Sequence, residues 1–205
     1  MKANFCRKEA GNPVIGVLAL QGNFQSHIRH ISALGLSSAE IRKPEELDFA
    51  DGLIIPGGES TTMLNFFKKA PWAKAISQFS LDRPVFGTCA GAILLAKYVE
   101  NPEQESLGLV PVRIIRNGYG RQKESFYAEL KSDIFGDIPI KCYFIRAPVI
   151  AEILDPEVDI LACWKGSPVF IKYRNILCST FHSELSDDLK LHRLFADMLK
   201  CTSLA

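Results

Sequence analysis

Apolar and polar residues alternate along the first half of this chain in blocks that predict strands and helices in turn. Continuous apolar runs at 14–20, 52–55 and 84–86 are typical of parallel strands that are covered on both faces. The segments between these runs carry apolar residues at helical spacing. This order predicts a mostly parallel sheet with right-handed crossovers, in which ligands bind at the carboxyl ends of the strands.

Polar positions on the predicted helices add two expectations. In the helix at 24–34, His27 and His30 lie off the apolar stripe, so we interpret them as solvent-exposed residues rather than ligands. Ser60 or Thr61 is expected to cap the helix that follows the second strand. The apolar stripe of the first helix consists of Phe24, Ile28, Ile31 and Leu34.

The second half of the chain has a different pattern, with short strands in succession and one closing helix. Two apolar runs around Lys165-Gly166-Ser167 predict a hairpin at 160–173. Apolar residues at helical spacing predict an amphipathic helix at 187–200. The other predicted strands lie at 110–115, 125–130, 140–145, 149–154 and 176–181.

Length, charge and cysteine usage limit the classes of partner. At 205 residues the chain fits a single domain with a polar N-terminal extension at 1–13, and its net charge of +1 indicates neither nucleic acid nor an anionic membrane. The apolar runs are of strand length and no cleavage site follows the first, so we expect no membrane span and no signal peptide.

Six scattered cysteines form no Cys-x-x-Cys pair, so no metal site is expected. Cys142, Cys163 and Cys178 lie in apolar strand-like runs, as buried thiols in a reducing cytoplasm do.

The stretch Gly87-Thr88-Cys89-Ala90-Gly91 joins an apolar strand to small and apolar residues that suit a helix reaching Lys97. This is the sequence form of a nucleophile elbow, because glycines without a Cβ let strand and helix approach closely around a tight turn. Cys89 then precedes the positive end of a helix, which favours thiolate, and the Ala90 N–H points to where an oxyanion could form. The alternative is a buried structural cysteine beside two packing glycines.

Two further stretches end predicted strands of the same sheet. Pro56-Gly57-Gly58-Glu59-Ser60 lacks the Gly-Lys-Ser/Thr of a P-loop, and its N–H groups suit the second half of an oxyanion hole or else a plain strand-to-helix turn. His182 and Glu184 stand two residues apart at the end of the last strand, where a period of two puts both side chains on one face. Joined to the elbow, they predict a Cys-His-Glu triad.

These stretches together resemble the glutaminase subunits of pyridoxal 5′-phosphate synthase, a branch of the class I, or triad, glutamine amidotransferases. The similarity runs from about Val14 to the C-terminal helix. It implies an α/β fold of three layers, with a mostly parallel central sheet flanked by helices in a flavodoxin-like architecture. The motifs that carry the resemblance lie at 20–22, 56–63, 87–91, 120–122, 125–126, 144–148 and 181–185.

The resemblance also implies roles. Cys89 would be the nucleophile, with His182 and Glu184 completing the triad. An Arg can pair with the substrate α-carboxylate and a Glu with its ammonium group. The implied glutamine pocket consists of Gly57, Gly58, Glu59, Ser60, Arg116, Ile145 and Arg146, and the implied oxyanion hole of Gly57, Gly58 and Ala90.

The implied reaction is hydrolysis of L-glutamine, with ammonia passing to a separate synthase (lyase) subunit in a large hetero-oligomer. Pyridoxal 5′-phosphate is then a product of the complex, and no cofactor is expected in this chain. Ser183 departs from the family, which has Pro between the His and the Glu, so added backbone freedom could loosen the Glu184–His182 pair.

Three rival functions stay open at this point. One is a glutaminase for another ammonia acceptor, such as the imidazole glycerol phosphate branch. Another is a non-catalytic regulatory subunit on the same scaffold. The third is a generic cysteine hydrolase, against which Glu59 and Arg146 argue because they suit an amino-acid substrate.

Overall fold

The computed structural model describes residues 13–119 and 125–202, with side chains to residue 200, so the motif at 120–122 lies outside the described residues. Its strands are β1 (Val14–Leu18), β2 (Ser37–Ile41), β3 (Gly52–Ile55), β4 (Val85–Thr88), β5 (Ala96–Glu100), β6 (Val110–Ile115), β7 (Ser125–Leu130), β8 (Ile140–Ile145), β9 (Val149–Ile153), β10 (Asp159–Trp164), β11 (Ser167–Tyr173) and β12 (Ile176–Ser179). Its α-helices are α1 (Phe24–Ala33), α2 (Ser60–Lys69), α3 (Trp72–Phe79), α4 (Ala90–Leu95) and α5 (Lys190–Thr202). Short 3-10 helices lie at Pro44–Phe49, Asp133–Phe135 and Ser183–Leu185.

Seven strands form the central sheet in the order β10-β11-β12-β4-β3-β1-β2. The five strands from β12 to β2 pair in parallel, whereas β11 pairs antiparallel with β10 and with β12. The predicted α/β fold with a mostly parallel sheet is therefore confirmed.

The core lies on both faces of this sheet, which explains the continuous apolar runs. On β3, Leu53 and Ile55 pack into one cluster, which includes residues of α2 and α3. Ile54 between them packs into the other, which includes residues of α1 and α5. Successive residues of a strand point to opposite faces, so a strand covered on both sides is apolar throughout.

Two small sheets, in the orders β5-β6-β9 and β7-β8, are not part of the central sheet. The strands predicted at 110–115, 125–130 and 140–145 are present. β5 was not predicted: the helix after Cys89 ends at Leu95, and the chain from Ala96 pairs in parallel with β6. The apolar residues of this stretch fit either structure, and pairing with a distant strand decided between them.

Five side chains differ from the sequence expectations. His27 and His30 are 0% and 7% exposed, because α5 packs against their side of α1. Cys163 is exposed, because it lies on β10 at the edge of the sheet. The N-cap of α2 is Glu59, and it makes no side-chain cap hydrogen bond, so neither Ser60 nor Thr61 has the predicted capping role.

Candidate active site

Cys89 lies at the turn between β4 and α4, where its backbone takes φ 48° and ψ −101°. A positive φ at a residue other than glycine is strained, and here the packing of β4 against α4 holds it. The glycine at 91 is required, because a Cβ there would meet the carbonyl oxygen of Ile55. The Cys89 N–H donates to the Ser179 carbonyl over 2.8 Å, which ties the turn to the end of β12. The predicted elbow is thus present, with its thiol 6% exposed.

His182 and Glu184 reach the same place from the end of β12, the strand beside β4. His182 Nδ1–H donates to Glu184 Oε1 over 2.7 Å, so Ser183 has not loosened this pair. The predicted pairing is correct, but its predicted cause is not. β12 ends at Ser179, and Glu184 lies in a single 3-10 turn, so a turn rather than strand alternation brings the two side chains together.

The electrostatics of the site favour a charged imidazole. Burial acts to lower the pKa of His182, but the interactions of its ring with Cys89 and Glu184 outweigh burial and raise that pKa to about 10. Burial likewise opposes ionisation of Glu184, yet the facing His27, together with the hydrogen bond and charge of His182, holds the pKa of Glu184 below its ordinary value. A carboxylate that accepts a hydrogen bond from the ring in this way stabilises the imidazolium form of His182.

Cys89 and His182 open into a cavity of about 290 Å³. Its volume suits a small amino acid, and its lining combines one carboxylate with two guanidinium groups. The lining residues are Asn23, Gly58, Glu59, Ser60, Cys89, Ile93, Arg116, Asn117, Ile145, Arg146, His182 and Leu185. All of the predicted pocket residues except Gly57 are in this set.

Gly57 differs from the expectation because its amide is engaged elsewhere. Its N–H donates to Thr88 Oγ1 over 2.9 Å, and a Cβ on Gly57 would meet the His182 ring. An oxyanion role for this amide would require the peptide to turn. The Ala90 N–H is among the first of α4, whose amides have no acceptor within the helix. The oxyanion hole of Gly57, Gly58 and Ala90 stays a prediction.

Arg116 and Glu59 form a pair of opposite charges on the cavity wall. Arg116 donates to Glu59 Oε1 and to Thr61 Oγ1, each over 3.3 Å. The Arg116 side chain is only 13% exposed, so a carboxylate that entered would meet a cation held in place by its surroundings. Paired charges of this kind match the carboxylate and ammonium groups of an amino acid.

Sequence reasoning missed several residues of the site. Gln21, which lies in the motif at 20–22 and had no predicted role, holds the loop at Glu59: its side chain donates to the Glu59 carbonyl over 3.1 Å and accepts from the Glu59 N–H over 3.2 Å. Gly22 is required beside it, because a Cβ there would meet the Gly57 carbonyl oxygen. The signal that could have found them was the Gln-Gly pair directly after a buried strand. Asn23, Ile93, Asn117 and Leu185 were also missed.

Among the side chains described within 13–119 and 125–200, no three His, Cys, Asp or Glu residues are grouped so as to hold a metal ion. No helix in the described part of the chain is both long enough and apolar enough to cross a bilayer.

The architecture and the cleft are those of a class I glutamine amidotransferase. A solved structure described as a crystal structure of glutamine amidotransferase superposes with a TM-score of 0.84 at 39% sequence identity, covering 91% of this chain and 98% of that one.

The chain belongs to the SNO glutamine amidotransferase family, whose sequence model matches residues 17–201. It is similar to pyridoxal 5′-phosphate synthase subunit PdxT of Thermotoga petrophila, with 46% identity over 187 residues that cover 91% of this chain and 99% of that relative. The subunit of the same name from Listeria welshimeri is 45% identical over 186 residues, covering 90% of this chain and 98% of that relative.

Proposed function

We propose that this chain is a glutaminase that hydrolyses L-glutamine to L-glutamate and ammonia and supplies the ammonia for pyridoxal 5′-phosphate synthesis. The observation that carries the proposal is Cys89 on a strained turn, in one small cavity with a His182–Glu184 pair joined over 2.7 Å. Membership of a glutamine amidotransferase family and relatives that are named subunits of this synthase support it.

The reaction would begin at the thiolate of Cys89. Its sulfur attacks the side-chain amide carbon of glutamine, and the carbonyl electrons move to the oxygen, where the Ala90 and Gly58 amides stabilise them; Gly57 joins them if its peptide turns. His182 then gives its proton to the nitrogen as the carbon–nitrogen bond breaks, and ammonia leaves. Water, deprotonated by His182, cleaves the glutamyl thioester and releases glutamate. Glu184 keeps the imidazole oriented throughout.

Substrate binding would use the charges of the cavity. Arg116 pairs with the α-carboxylate and Glu59 with the α-ammonium group, and the hydrogen bond between these two side chains is then given up. Arg146 and Ile145 contribute a second cation and an apolar wall, and Ser60 adds a hydroxyl at the start of α2. Recognition of both charged α-groups of an amino acid distinguishes this site from that of a generic cysteine hydrolase.

The chain would act with a partner. Since its relatives are named subunits of pyridoxal 5′-phosphate synthase, we propose that a separate synthase (lyase) subunit receives the ammonia within a large hetero-oligomer. We propose a single glutamine amidotransferase domain that works in the cytoplasm, as the scattered unpaired cysteines of the sequence predict.

The deciding experiment compares Cys89→Ala with Cys163→Ala, which removes an exposed cysteine outside the cavity. Ammonia release from glutamine is measured with and without the synthase subunit. We expect Cys89→Ala to lose at least about a thousandfold in rate and Cys163→Ala to retain wild-type activity. Ammonia release by Cys89→Ala at the wild-type rate would refute the proposal. Activation by an imidazole glycerol phosphate synthase instead would assign the chain to another acceptor.

A further inference from the structure

Three buried histidines form a chain of hydrogen bonds behind Glu184, and the reaction proposed above does not use them. His27 Nδ1 lies 2.9 Å from His192 Nε2, and His192 Nδ1 lies 3.1 Å from His30 Nδ1. The far end is anchored, since His30 Nε2 lies 2.9 Å from the Ser186 carbonyl oxygen. At the near end, His27 Nε2 lies 3.7 Å from Glu184 Oε2.

The anchor determines where every proton in the chain is. A carbonyl oxygen only accepts, so His30 carries its proton on Nε2 and its Nδ1 accepts. His192 must then donate from Nδ1, which leaves its Nε2 as an acceptor. His27 must therefore donate from Nδ1, which leaves its Nε2 without a proton. Neutral imidazoles linked in this way allow one tautomer for each ring.

Burial keeps His27 and His192 neutral. Burial lowers the pKa of His27 to about 4, although the facing Glu184 acts to raise it, and the charges of His182 and His30 lower it further. Burial, with His27 and His30, also holds the pKa of His192 well below its ordinary value. A charged His27 would lower the pKa of Glu184, but burial keeps that charge away at neutral pH, and His182 remains the charged neighbour of the carboxylate.

The proton-free Nε2 of His27 explains two features near the triad. Glu184 Oε2 is buried and has no hydrogen-bond partner within the described residues, and its 3.7 Å separation from His27 Nε2 is longer than a hydrogen bond, in agreement with a nitrogen that carries no proton. Thr88 Oγ1, 3.4 Å from the same nitrogen, can donate its proton there. Its lone pair then points to the Gly57 N–H, which donates to it over 2.9 Å.

We propose that the His30–His192–His27 chain is a positioning device, which holds His27 in the tautomer that cannot donate to Glu184. His182 is then the ring that donates to Glu184, so the charge of Glu184 stabilises the His182 imidazolium. The hydroxyl of Thr88 points toward the ring of His27. In the opposite tautomer, His27 Nε2–H would donate to Glu184 Oε2 and draw charge away from His182. The catalytic part of this inference rests on the proposed glutaminase reaction, whereas the tautomer assignment does not.

The tautomers can be measured directly by NMR of the intact chain labelled with 15N in its histidines, of which there are four. We expect His27 and His192 to be neutral with the proton on Nδ1 and His30 to carry it on Nε2. A proton on Nε2 of His27 at neutral pH would overturn the proposal. The assigned tautomers in a wild-type protein that does not hydrolyse glutamine would refute the proposed function and leave the assignment standing.

Two variants at one position separate positioning from packing. The side-chain amide of Gln can accept from His27 and donate to His30, whereas Leu can do neither. We expect His192→Leu to lower kcat by about ten- to a hundredfold with little change in KM, and His192→Gln to restore most of the loss. We also expect the pH midpoint of Cys89 alkylation to rise in His192→Leu only, because Glu184 then stabilises the His182 imidazolium less. If His192→Leu and His192→Gln both fold, lose kcat equally and keep the wild-type pH midpoint of Cys89 alkylation, the proposal is overturned. If His192→Leu does not fold, the NMR measurement on the wild-type protein decides the proposal.

Discussion

Replacing Glu184 with Gln removes the charge behind His182 while keeping the shape of the side chain. The amide oxygen can still accept from His182 Nδ1–H, as Glu184 Oε1 does over 2.7 Å. The amide nitrogen would face the proton-free Nε2 of His27, which accepts a hydrogen bond. The substitution therefore changes the electrostatics of the triad with little effect on its packing.

The magnitude follows from the separation of the charges. An imidazolium and a carboxylate with charge centres about 4 Å apart attract by about 4 kcal/mol at an effective dielectric constant of about 20. Each 1.36 kcal/mol is a factor of ten, so we expect kcat to fall by about 10²- to 10³-fold. The pKa of His182, raised to about 10 in part by this carboxylate, should fall as well.

The assay measures ammonia release from saturating glutamine and, separately, the pH dependence of Cys89 alkylation by a glutamine-analogue electrophile. Glu157→Gln is the matched control, because its exposed pair with Arg174 over 3.4 Å contributes at most about 1 kcal/mol. A Glu184→Gln protein that keeps kcat within about threefold of wild type would refute the reasoning. It would mean that the carboxylate charge does not act on the imidazole.

Three other predictions concern the pocket, the departure at Ser183 and the buried histidines. Arg116→Met should raise KM for glutamine by about ten- to a hundredfold with little change in kcat, because a hydrogen bond to a charged group contributes about 1.5–3 kcal/mol; steady-state kinetics test this. Ser183→Pro should raise the free energy of unfolding by about 0.5–1 kcal/mol, because His182 before it is already extended (ψ 97°) and the buried Ser183 hydroxyl has no partner in the described part of the chain; urea unfolding tests this. Stability should rise between pH 4 and pH 6.5, because the unfolded chain binds a proton at His27 in this window and the folded chain, with that pKa lowered to about 4, does not. The difference is about 3 kcal/mol at 1.36 kcal/mol per pKa unit, and urea unfolding at several pH values measures it.

Each of these three predictions has a result that would contradict it, and two of them have a control variant. Arg174→Met removes an exposed cation outside the cavity and should leave KM unchanged; an equally small effect of Arg116→Met would exclude Arg116 from substrate binding. A less stable Ser183→Pro protein would show that the turn needs the freedom of Ser. His27→Gln should reduce the acid slope but not abolish it, because the lowered pKa of His192 contributes in the same pH window; an unchanged slope in that variant would assign the effect to other groups.

Much of the site could be predicted from the sequence because its parts are local. The elbow at Cys89 needs a strand, small residues and a tight turn, which leave a readable pattern within a few positions. Neighbouring parallel strands end at the same edge of a sheet, so the end of β12 had to lie near the end of β4 once both were parallel. That is why the partners His182 and Glu184 could be predicted from a strand-end argument whose local geometry was wrong.

Other features depended on contacts between distant segments. A helix pattern cannot show which neighbour covers its polar side, and α5 covers His27 and His30, which the apolar stripe alone left facing solvent. β5 likewise formed where a helix was predicted, because β6 offered it a pairing edge.

The sequence by itself determined the α/β class, the elbow at Cys89 and the placement of His182 and Glu184 at the same edge of the sheet, because periodicity and turn chemistry act over short distances. Only the tertiary structure decided the exposure of Cys163, the anchoring of Glu59 by Gln21 and the tautomers of the buried histidines. Burial and hydrogen-bond direction depend on contacts between segments that are far apart along the chain. They are therefore defined only after those segments have packed together.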